Sequence, residues 1–186
     1  MIQKELEVIL SRYTQARMGE PFNGEHEIFS NFEAIREALA QSEAVQSRPH
    51  LRVKYSAGQG NWARVPWIAF LDSRETTTTQ KGVYCVYLFR QDMSGVYITF
   101  NQGVTELIRQ NGRPRAHQEL QKRAEAIHQY CSGLPSKGFS LIKGIDLRAD
   151  AGLGADYEYS TIAYKFYEAG NMAPRRIEWV AWAGLM

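Results

Sequence analysis

Residues 83–90, VYCVYLFR, are apolar on both sides of a strand. At a two-residue period Tyr84, Val86 and Leu88 face one way, and Val83, Cys85, Tyr87 and Phe89 the other. A strand of this kind cannot lie on a surface. Each face must be covered by protein or line a pocket, so the chain needs material on both sides of a sheet. The neighbouring segments supply the sheet. Leu51, Val53 and Tyr55 alternate with Arg52, Lys54 and Ser56 as in a strand with one wet face, and VPWIAFL at 65–71 suits a buried strand. A polar loop with four consecutive threonines fills 73–81, and Gln91-Asp92-Met93-Ser94-Gly95 has hairpin composition before a strand at 96–100.

Helical periodicity flanks this cluster. Ile2, Leu6, Ile9, Leu10 and Tyr13 share a face, and Gly19 and Pro21 end that segment. A second helix is expected from Ser30, with Glu33 closing a capping box and Phe32, Ile35 and Leu39 buried; Pro49 is its latest end. Further helices are expected near 103–110 and 115–131, and extended segments at 139–147 and 158–167. The tail, 172–186, is apolar; Trp179 and Trp182 suit a last short helix or the start of a longer chain. The expectation is an α+β fold, a mixed and strongly curved central sheet flanked by helices, in a single domain over 1–186: a helical lead-in at 1–50, a core at 51–171 and the tail.

Several functional classes lose support. The 186 residues contain no apolar run near the ~18–20 of a membrane span, and the charged N-terminus lacks a signal peptide's apolar centre, so a cytoplasmic protein without membrane contact is expected. Cys85 and Cys131 lack CxxC spacing, and His26, His50, His117 and His128 form no ligand pair at helical spacing; no metal and no cofactor is expected. There is no GxxxxGK[ST] and no GxSxG. Asp146, Asp150, Asp156 and Glu158 cluster, which keeps a nuclease or base-processing enzyme as an alternative, although solvated or capping carboxylates fit them better. A protein-interaction module built on the apolar tail is the other alternative. The net charge of +2 does not decide for nucleic acid. Basic residues do cluster, however, at Arg109, Arg113, Arg115, Lys122 and Arg123, and at Arg52, Lys54 and Arg64 around a glycine-rich turn.

Aromatic residues are concentrated between positions 55 and 100. The blocks carrying them, LRVKYSAGQGNWARVPWIAFLDS and KGVYCVYLFRQDMSGVYITFNQGVTEL, resemble the N-terminal DNA-recognition domain of McrB-type modified-DNA restriction proteins. The likeness continues weakly through GIDLRAD and GLGADYEYSTIAYKFY, covering about residues 51–171. GxGN, VPWIAFL and KGVYxVYLF in this order and spacing are together fairly specific. The resemblance implies a reader of double-stranded DNA carrying modified cytosine (5-methyl, 5-hydroxymethyl or N4-methyl), which flips the base out of the duplex. It implies a binding domain and not an enzyme, serving a restriction system, with any cutting or motor activity in an endonuclease or AAA+ GTPase effector.

By the same resemblance Trp67 stacks on the flipped base, while Tyr84 and Leu88 complete the pocket. The turn Gly58-Gln59-Gly60-Asn61, with Trp62, enters the duplex and fills the gap. A relative has an aromatic where this chain has Gln59, so either Gln59 or Trp62 serves as the wedge. Phosphate contacts fall to Arg52, Lys54, Arg64 and Lys81.

Overall fold

The computed structural model describes residues 2–142 and 144–171. Two helices lead, α1 (Gln3–Gly19) and α2 (Glu27–Ala40), followed by one turn of helix, α3 (Glu43–Gln46). Four strands come next: β1 (Leu51–Gly58), β2 (Trp62–Asp72), β3 (Val83–Phe89) and β4 (Gly95–Gln102). Then α4 (Thr105–Asn111), α5 (Arg113–His128) and α6 (Leu153–Ser160) precede the last strand, β5 (Thr161–Glu168). The sheet runs in sequence order β1-β2-β3-β4-β5, and every pairing is antiparallel. The fold is α+β as expected, but the sheet is antiparallel throughout and not mixed. Chain of more than fifty residues between β4 and β5 brings the chain back in the opposite sense, so no parallel crossover arises.

The double-sided strand explains the architecture. Cys85, Tyr87 and Phe89 pack with Ile68, Phe70, Ile98 and Phe100 into the core beneath α1 and α2, while Tyr84, Val86 and Leu88 join Ala69, Leu71, Tyr97, Ile145 and Leu147 on the opposite face. Helix α2 contributes Ile28, Phe32, Ile35 and Leu39, all buried, at about 1.5–3 kcal/mol each. Cys85 and Cys131 are buried free thiols within that first core.

Three local expectations need correction. Helix α2 begins at Glu27, three residues before Ser30. His26 caps it, its Nδ1 accepting from Ile28 N–H at 3.2 Å while Nε2 meets Glu20 at 2.7 Å, so no capping box forms at Ser30 and Glu33. The segment 139–147 gives only a bridge between Ser140 and Tyr164 instead of a strand. Residues 158–160 belong to α6, which starts after Gly152 and is pinned by buried Asp156. Gly154 makes that docking possible, since a Cβ there would lie 2.7 Å from Val65. The tail helix expected around Trp179 and Trp182 lies outside the described residues.

Candidate nucleic-acid interface

The face opposite α1 and α2 is ordered in cross-strand rows. One row runs Ser56, Trp67, Leu88, Tyr97, Phe166, and the next runs Lys54, Ala69, Val86, Thr99, Tyr164. Trp67 and Leu88 are therefore direct neighbours. Tyr84 lies four residues from Leu88, roughly 13 Å along the strand, and pairs with Asn101. Between Trp67 and Tyr84 lies the small floor of Ala69 and Val86.

These positions differ in exposure. Trp67 is half-buried, whereas Tyr84 and Leu88 are each 2% exposed. Tyr84 Oη donates to Thr79 O at 2.9 Å, and burial pushes its pKa up, with Tyr157 adding to the rise. Tyr157, on α6, packs against the same cluster, and burial pushes its hydroxyl up to about 12. Nothing local in the sequence marks the helix that carries Tyr157, so periodicity alone does not single it out. Both hydroxyls stay protonated at neutral pH and can donate hydrogen bonds.

The cover on this face is the segment 144–150. Ile145 and Leu147 are buried in the cluster and Ala149 packs beside them. Polar bonds hold this strap from several sides: Gln91 N–H to Leu147 O at 2.9 Å, Leu147 N–H to the Glu158 carboxylate at 2.8 Å, and Arg90 Nε to Asp146 O at 2.8 Å. The Arg90 guanidinium lies 4.3 Å from the Phe166 ring centroid and donates to Tyr97 Oη at 3.0 Å, fixing the far wall of the row.

The β1–β2 turn stands at the end of the sheet nearest Trp67. Gln59, Gly60 and Asn61 are exposed at its tip. Gly58 has φ 134°, and a Cβ there would lie 2.0 Å from Asn61 O, so this turn geometry requires glycine. Tyr13 of α1 reaches the base of the turn, its hydroxyl proton shared between Ala57 O and Ala63 O at 2.8 Å each. Trp62 points away from the tip. Its Nε1 donates to Glu20 O at 3.1 Å, and its ring sits 5.1–5.7 Å from the rings of Tyr13, Phe22, His26 and Phe29. It fastens the turn to the helical layer.

The nominated cations divide between the two ends of the sheet. Arg52 and Lys54 are exposed on edge strand β1; Arg52 donates to Pro49 O and Leu51 O, and Lys54 to Thr77 O at 3.0 Å. Lys81 lies in the 73–82 loop, 3.9 Å from Glu106. Arg64 is near the turn and forms an ion pair with Asp150. A cleft of about 350 Å³ near Lys81, Gln102, Glu106 and Arg123 carries both signs of charge and lies beyond the Tyr84 end, away from Trp67.

The four clustered carboxylates do not converge on one point. Asp150 faces Arg64, and Asp146 accepts from Arg148 N–H. Glu158 holds Leu147 N–H, and buried Asp156 is bonded by Arg113 at 3.2 Å and His117 at 2.9 Å. Among the described residues no group of three or more His, Cys, Asp or Glu is placed to hold a metal ion, and no helix is long and apolar enough to cross a membrane.

The family model described as "MrcB-like, N-terminal domain" matches residues 8–177. The chain belongs to this family. The match takes in α2 and α1 from residue 8 onward, beyond the part that the motif blocks alone connect to it. Membership is consistent with a DNA-binding specificity domain, a non-catalytic role. No curated protein and no solved structure matches the chain.

Proposed function

We propose that residues 1–186 act as one recognition domain that binds double-stranded DNA containing modified cytosine and flips that base against Trp67. The observation that carries the reading is the row on the strap-covered face: a half-buried tryptophan paired with Leu88, a floor of Ala69 and Val86, and Tyr84 at the far side. An extruded base stacks on Trp67 over that floor. Gln59, exposed at the tip of a turn that only glycine permits, fills the gap left in the duplex. Trp62 holds the base of that turn, which favours Gln59 over Trp62 as the wedge.

The energetics are balanced. Flipping costs a few kcal/mol of unpairing and unstacking. Stacking on an aromatic face returns roughly 1–3 kcal/mol, and one methyl group in a close apolar pocket adds about 1 kcal/mol. Discrimination of about ten- to a hundredfold follows when an unmodified base leaves a cavity or admits water. Arg52, Lys54, Arg64 and Lys81 bind phosphates without reading sequence. Any cleavage or motor activity belongs to an endonuclease or AAA+ GTPase effector in a restriction system.

A fluorescent adenine analogue beside a single modified cytosine tests the flipping step. Its emission should rise when the protein unstacks the neighbouring base, and Trp67→Ala should abolish that rise. A bound duplex with unchanged emission would refute flipping.

A further inference from the structure

Two arginines at the turn end of the sheet are each engaged by a carboxylate from another element. Arg64 of β2 pairs with Asp150 of the strap, and Arg148 of the strap pairs with Asp92 of the β3–β4 hairpin at 2.5 Å. The two pairs use residues two positions apart in the strap, and Asp92 lies in the hairpin that follows β3. Arg64 and Arg148 side chains are about half exposed, where an ion pair contributes little to stability. Arg148 also has φ 51°, a left-handed conformation that a side chain rarely adopts, held by its N–H bond to Asp146 at 2.8 Å. These two weak pairs and one strained residue sit at the 148–150 end of the strap, whose middle is held by buried Ile145 and Leu147 and by the bonds from Gln91, Glu158 and Arg90.

We propose that Arg148 joins Arg64 as a phosphate contact, and that duplex DNA docks by exchanging Asp92 and Asp150 for two phosphates. This rests on the DNA-reading function proposed above. Phosphate is the stronger competitor because a duplex presents a line of charges whose neutralisation releases condensed counterions, while each aspartate is a single charge. Asp92 also accepts from Ser94 N–H at 3.0 Å and Oγ at 2.7 Å, and Asp146 lies 3.9 Å from Arg148. The arginines pass from one acceptor to the other without ever being left bare. Both exchanges act at the 148–150 end of the strap and leave its buried middle in place.

The test is an anisotropy titration of unmodified and 5-methylcytosine duplexes at two salt concentrations with Asp150→Asn, Asp92→Asn, Arg148→Gln and the remote charge control Glu43→Gln. Asp150→Asn and Asp92→Asn should bind both duplexes about three- to tenfold more tightly, with Glu43→Gln within twofold of the parent. The gain from Asp150→Asn should vanish in an Arg64→Gln background. Arg148→Gln should weaken both duplexes alike and lower the salt slope by about one. If the parent prefers the modified duplex but the aspartate variants match it and Arg148→Gln keeps its slope, the exchange is wrong and the reader stands. If the parent binds no duplex at low salt, the reader itself fails and takes the exchange with it.

Discussion

Trp62 and Trp67 are five residues apart and have opposite uses. Trp62 is boxed in by four rings and a hydrogen bond to Glu20 O, while Trp67 stays half-buried on the far face beside Leu88. Trp67→Ala should reduce the affinity for a modified duplex by about 5- to 100-fold, the range set by a lost stacking partner, and move unmodified binding far less; competition titrations check this. Trp62→Ala should instead lower thermal stability first, by about 3–5 kcal/mol for a large aromatic removed from a packed site. Tyr13→Phe belongs with it. Burial keeps that hydroxyl protonated, and its loss strips a donor from two carbonyls at the base of the turn, at about 1–3 kcal/mol in urea unfolding. The sequence puts Tyr84 and Leu88 on one face because strand periodicity is local, whereas Trp67, on the neighbouring strand, is nominated by the family resemblance alone and the cross-strand register sets it beside Leu88. The sequence could not separate the two wedge candidates, because Phe22, His26 and Phe29, which engage Trp62, lie more than thirty residues away.

Among elements, the β1–β2 turn and the end of β2 carry the sharpest expectations. Gly60 has φ 74° with open space around it, so Gly60→Ala should cost only about 1–2 kcal/mol of conformational strain. Gly58→Ala collides with the Asn61 backbone and should cost more and misplace Gln59; thermal melts of both variants check the order. At the other end of β2, the Arg74 side chain bonds to Asp72 and holds its carboxyl at about 2. A depressed carboxyl stabilises the fold above its unfolded pKa near 3.9 and loses that contribution as pH falls through about 2. Asp72→Asn should therefore melt below the parent at pH 7 and converge with it near pH 2. The strands and the helices α4 and α5 were legible because burial imposes periods of 2 and 3.6 on their residues. Helix α6 and the strap were not, since tertiary bonds from Arg113, His117, Arg90 and Gln91 hold them in place.

For the whole molecule, the strap-covered face joins a turn, an aromatic row and basic residues at both ends of the sheet. The mixed sheet expected from the chain's pattern was the main topological misreading, because a long helical connection can return in either sense and β5 returns antiparallel. DNA affinity should fall steeply with salt, and single Gln substitutions at Arg52, Lys54, Arg64 or Lys81 should each lower the slope of log affinity against log salt by about one without changing base preference. Base-specific reading is tested by a set of anisotropy titrations at two salt concentrations. The duplexes differ in one central cytosine: unmodified, 5-methyl, 5-hydroxymethyl or N4-methyl. At least one modified duplex should bind about ten- to a hundredfold more tightly, and this ratio should survive higher salt while all affinities drop. Equal, salt-sensitive binding of all four, or no binding, would contradict base-specific reading.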